Sequence, residues 1–135
     1  MSVSLRLCLL AALLAGVACT GAPPDPPRAV PREAQWTKVG EWSGHGNAQL
    51  ETFPIERFTW RVRWETKNEE PPGSGTFHVT ANSGDSGRIL AEVANFKGVG
   101  RDTTFITELP HRYYFVVESK GVDWTLIAEE VIPPQ

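Results

Sequence analysis

Between Phe58 and Thr66 the sequence FTWRVRWET alternates without a break, and this limits the possible folds more than any other feature. Phe58, Trp60, Val62 and Trp64 fall on one side; Thr59, Arg61, Arg63 and Glu65 fall on the other. A period of two suits a strand with one face buried and one face wet. A helix, which returns to the same face about every 3.6 residues, cannot use it. Trp60, Trp64 and Val62 are therefore expected in a core, with Phe58 extending their row and Arg61 and Arg63 facing solvent.

The same period recurs along the chain. Thr76 to Ala81 sets Phe77, Val79 and Ala81 against Thr76, His78 and Thr80. Arg88 to Phe96 offers Ile89, Ala91 and Val93 on one face. Thr103 to Glu108 and Asp123 to Ala128 are further strands, the latter with Trp124, Leu126 and Ala128 aligned. Tyr113 to Glu118 is apolar on both faces, which predicts a central position. Trp36 to Trp42 opens the sheet, and a short strand is expected around Gln49 to Phe53. Between these runs lie turn formers: Pro71, Pro72 and Gly73; the stretch Asn82 to Gly87; two glycines within Lys97 to Gly100; and Lys120-Gly121, which reads as a hairpin turn. No segment longer than a turn or two carries helical period with caps. The expectation is an all-β antiparallel β-sandwich of about seven or eight strands, jelly-roll or immunoglobulin-like, with a small closed barrel as the alternative.

The sandwich is expected to occupy residues 35–131, followed by a short tail, 132–135. Ahead of it, Arg6 precedes an apolar run from Leu7 to Val17, eleven residues. That is too short to cross a bilayer core of roughly 30 Å as a helix and suits the apolar region of a signal peptide. Gly16-Val17-Ala18-Cys19 follows. These residues resemble the lipobox of bacterial lipoproteins, with Gly16 standing where Leu is usual. The resemblance implies a signal peptide over 1–18, cleavage before Cys19, thioether diacylglycerol on that cysteine and a further acyl chain, such as palmitate, on the new amine. Plain secretion is the alternative, since Gly16-Val17-Ala18 also passes as a small-x-small cleavage site. Residue 20 is Thr and not the Asp of an inner-membrane retention signal, which favours the outer membrane if the organism is diderm.

Cysteine usage fits that address. The chain has two cysteines, Cys8 and Cys19. Cys8 leaves with the signal peptide, so Cys19 has no partner thiol, and lipid attachment accounts for it. Thr20 to Ala34 then holds five prolines. Proline fixes φ and lacks a backbone donor, so 19–34 reads as an acylated cysteine on an extended tether reaching on the order of 40 Å. Removing residues 1–18 takes away one base, Arg6, and no acid, so the net charge moves from −3 to −4. A mildly acidic domain has no bulk attraction for polyanions, which argues against nucleic acid as a partner.

No catalytic set emerges from the pattern. Gly84-Asp85-Ser86-Gly87 resembles the nucleophile segment of chymotrypsin-like serine proteases, with His45 and Asp102 available as partners. Ser86 precedes Asp102, the reverse of that family's chain order, and Arg88 stands where a further Gly is usual, so the segment reads as a turn. His45, His78 and His111 share no metal-ligand spacing. Asn82, Asp85 and Asp102 are oxygen donors that a loop calcium could take, without the EF-hand spacing. No cofactor is implied.

The chain has five tryptophans. Trp60, Trp64 and Trp124 alternate with polar residues and belong in the core. Trp36 and Trp42 lie near an edge and a loop, and with Arg61 and Arg63, part of a basic stripe that begins at Arg57, they are the candidate ligand-binding residues. The expectation is a non-enzymatic, membrane-anchored envelope lipoprotein whose β-sandwich binds an envelope protein or glycan. The alternatives are a carbohydrate-binding module using exposed Trp, and a structural or stress-related lipoprotein without a small ligand.

Overall fold

The computed structural model describes residues 33–133 together with Gly21. Cys19 and nearly all of the signal and tether segments lie outside the described residues. Among the described residues there are nine strands: β1 (Trp36–His45), β2 (Ala48–Gln49), β3 (Phe53–Ile55), β4 (Thr59–Lys67), β5 (Thr76–Ser83), β6 (Ile89–Lys97), β7 (Gly100–Thr107), β8 (His111–Lys120) and β9 (Asp123–Val131). Just outside β1 and β9 the Gln35 carbonyl accepts a hydrogen bond from the Ile132 amide at 2.8 Å.

The strands form two antiparallel sheets. The front sheet runs β1-β9-β4-β7; the back sheet runs β2-β8-β5-β6, with β3 also paired to β8. Both sheets have free edges, so the barrel alternative is excluded. If β2 and β3 are counted as one interrupted strand, the pairs β1–β9, β2/β3–β8, β4–β7 and β5–β6 nest outermost with outermost. That nesting is the jelly-roll order and not the immunoglobulin-like one. The interruption, residues 50–52, brings the count to nine among the described residues.

Two expectations need correction. Lys120-Gly121 does not close a hairpin: β8 lies in the back sheet and β9 in the front one, so the chain arches across the sandwich there. Val122 is fully buried in that arch, and Gly121 takes φ 72°, which glycine adopts without steric cost. The second correction concerns β6. Its pairing with β5 shifts twice, so that Ala94 and Glu92 oppose neighbouring residues of β5, as do Ala91 and Ile89. Each bulge inserts one residue and breaks the alternation. As a result Val93 and Ala94 are both buried, while Ile89 is 61% exposed.

The core lies between the sheets, where the alternation placed it. Trp60, Val62, Trp64, Trp124, Leu126 and Ala128 come from the front sheet and Phe77, Val79, Ala81, Phe115 and Val117 from the back sheet, all buried. Trp60 packs on Tyr113 with ring centroids 4.9 Å apart, and Trp64 on Phe77 at 5.6 Å and Phe96 at 5.3 Å. Phe58 falls outside this row: it precedes β4 and is 60% exposed. β8 is central, as its two apolar faces predicted.

Candidate functional site

The outward face of the front sheet gathers three of the four residues expected to bind a ligand. Register places Lys38, Glu129, Arg61 and Phe105 in one row across β1, β9, β4 and β7. Trp36 lies at the start of β1, beside Val131. Although Trp36 and Phe105 stand on opposite edge strands, their rings lean together to 5.9 Å between centroids, tilted by 57°. The Arg61 guanidinium lies over the Trp36 ring, 4.3 Å from its centre. This cation–π distance contributes roughly 0.5–2 kcal/mol, depending on desolvation. Phe105 is 62% exposed, so the cluster is open to a partner.

Glu129 fixes the charge of this face. Its Oε1 accepts from Nε of Arg61 at 2.8 Å and from Nε of Arg63 at 2.7 Å. Burial pushes the carboxyl pKa up, but hydrogen bonds from Arg63 and Arg61 outweigh this and hold it below the usual carboxylate range. Two guanidinium groups share one carboxylate, which leaves a surplus positive charge. Arg63 is the more exposed of the two, with about half of its side chain accessible. Such a surface can take a carboxylate or phosphate beside a flat apolar group.

A pH dependence follows from the lowered pKa. Glu129 stabilises the fold in full above the usual carboxylate range, and this contribution is lost as pH falls through the lowered folded value. Glu129→Gln is expected to cost about 1.5–3 kcal/mol at pH 7, the range for hydrogen bonds to charged groups, and to flatten the acid limb. Urea midpoints at neutral and acid pH for both chains test this; equal acid sensitivity would contradict it.

Trp42 does not join the cluster. It points between the sheets, half-buried, with its ring 5.0 Å from Phe53 and 5.4 Å from Phe115. Its position on β1 left the facing open, and a bulge between Lys38 and Gly40 shifts the alternation that would have linked it to Trp36. Phe105, which was not singled out from the sequence, takes its place. The signal for Phe105 was only its alternation with buried Ile106, because the sequence does not show that β7 lies two strands from β9. Arg57 stands outside β4, exposed.

The candidate triad is scattered. His45, at the far end of β1, bonds Asp123 at 2.8 Å, while Ser86 sits in the β5–β6 loop at the opposite end. The closest approach to a nucleophile–base pair is elsewhere: Ser83 Oγ lies 2.8 Å from Nε2 of His111. Ser83 is buried, and its Oγ accepts amides of Asp85 and Ser86 at 3.3 and 3.2 Å. Asp85 approaches the same Nε2 of His111, at 3.3 Å, and not the other ring nitrogen. A carboxylate on that nitrogen cannot orient the ring as a base, so this group caps a turn. The oxygen donors considered for calcium are separated too. Asn82 is committed to Thr80 and Gly87, and Asp102 lies on β7 in the other sheet, opposite Trp64. Among the described residues no three His, Cys, Asp or Glu side chains gather in a metal-binding group.

The back sheet carries a polar cleft of about 580 Å³ near the arch, with Asn47, Thr76, His78, Asn95, Lys97 and Lys120 among its lining. His78 is held there by Glu92 at 3.1 Å and Glu118 at 3.7 Å.

No family model, curated protein or solved structure matches this chain.

Proposed function

We propose that the chain is an exported, lipid-anchored binding protein whose β-sandwich engages an envelope protein and performs no chemistry of its own. The observation that carries this reading is the partly exposed Trp36–Arg61–Phe105 cluster with its surplus charge. Tryptophan, phenylalanine and arginine are the residues that dominate protein interfaces. A glycan platform calls for broad aromatic planes open to solvent. Here Trp60, Trp64 and Trp124 are buried, and Trp36 and Phe105 are tilted by 57°. The lipobox-like Gly16-Val17-Ala18-Cys19 and the proline-rich 20–34 segment support the anchor.

The carbohydrate-binding alternative has one observation in its favour, the polar cleft on the back sheet, whose amide and hydroxyl groups suit sugar hydroxyls. A photo-crosslinking amino acid at position 105, with a control at position 43 on the same face, separates the readings in cells. An adduct to another envelope protein at 105 alone, lost in Arg63→Glu, is the expected result. Glycan-array binding lost in Asn95→Ala, with no protein adduct, would reassign the chain to carbohydrate recognition. Neither result would point to a structural role without a ligand.

A further inference from the structure

The four sheet edges of the domain are not alike. An exposed edge presents unpaired amides and carbonyls, and proteins blunt such edges with bulges, proline, charge or short strands. β1 has a bulge between Lys38 and Gly40. The β2/β3 edge is interrupted and contains Pro54. β6 has two bulges. β7 has neither bulge nor proline: it pairs with β4 from Thr107 to Gly100 without a shift, its charges, Arg101 and Asp102, stand within its first three residues, and its last five, Thr103 to Thr107, are uncharged, β-branched or aromatic.

We propose that the free edge of β7 pairs antiparallel with β7 of a second copy of this chain, about a two-fold axis at Thr104. In that register Thr103 faces the partner's Phe105, Asp102 faces the partner's Ile106 and Arg101 faces the partner's Thr107. No like charges meet, and the Thr–Phe pairs are of the stabilising aromatic–β-branched kind. Centring on Phe105 instead sets Asp102 opposite Glu108, and a parallel pairing in register sets Arg101 on Arg101. Among the described residues no other strand pairs with this edge of β7. The two front sheets become one eight-stranded sheet, and both Trp36–Arg61–Phe105 clusters come onto one continuous face beside the axis. Self-pairing goes beyond the binding reading and is derived without it; anchoring raises the local concentration of copies.

The test uses the full chain in producing cells. Cysteines opposite one another across such a ladder have Cβ atoms roughly 4.5–5.5 Å apart, near the range a disulfide bridges. Thr103→Cys/Phe105→Cys is expected to shift to twice the chain mass on a non-reducing gel and to return on reduction. The parent and Ser43→Cys should not shift. Adding Thr107→Lys, which faces the partner's Arg101, should abolish the shift, while Thr107→Glu should preserve it. No shift in the double variant, or equal behaviour of Lys and Glu at 107, would overturn the proposal. A disulfide adduct to a different protein in place of the doubled chain mass would also overturn it, giving the edge to a foreign strand, whereas a photo-adduct on the outward face at 105 beside the doubled chain would not. Reading membrane and soluble fractions separately keeps a failure of pairing distinct from a failure of anchoring.

Discussion

Trp64→Ala is expected to cost about 3–5 kcal/mol, the range for large aromatic truncations in a core. Trp64 is 7% exposed and wedged between Phe77 and Phe96 from the back sheet. No neighbouring backbone can collapse into the space, because β4 is held on both sides by β7 and β9. Such a loss is a large share of the roughly 5–15 kcal/mol that keeps a domain folded, so the variant should be poorly folded at neutral pH. Trp64→Phe should lose far less. Among the described residues the indole Nε1 of Trp64 is buried without a hydrogen-bond partner, and phenylalanine removes that donor along with part of the volume. Trp42→Ala should fall between the two, since Trp42 is half-buried and its indole bonds only weakly to Glu51, at 3.4 Å. Denaturation midpoints for the three variants measure this order. A Trp64→Ala midpoint equal to the parent's would remove the row from the core and restore it as a binding platform.

The fold was largely legible because burial follows a period of two wherever strands are regular. Thr59 to Thr66 lies within β4, with Phe58 left outside it, Tyr113 to Glu118 forms the centre of β8, and Trp60, Trp64 and Trp124 are inside. Legibility failed where the period is locally broken or where order in space departs from order in sequence. The bulges of β6 turned Ile89 outward; no residue type announces a bulge whose extra residues are Leu90 and Val93. Lys120-Gly121 has hairpin chemistry, but the strands it joins belong to different sheets. Among the described residues only β5 and β6 pair as consecutive strands, so nearly all contacts between strands are non-local, and local patterning carries no record of them. The same limit governed the site. Arg61 and Arg63 were identified by their facing alone, but their convergence on Glu129 depends on β9 lying beside β4. Trp36 and Phe105 are brought together by the order β1-β9-β4-β7, which no stretch of sequence encodes.

The most direct test of a lipid-anchored binding protein is the state of Cys19. Cells producing the parent chain and Cys19→Ser are fed a clickable palmitate analogue and fractionated. The parent is expected to carry the label, to begin at Cys19 and to leave membranes with detergent but not with high salt, because two or more acyl chains hold a protein stably where one does not. Cys19→Ser should carry no label and, once its signal peptide is cleaved, should appear in the soluble fraction. A parent chain without label, or a cleaved Cys19→Ser chain that stays in the membrane, would contradict the account.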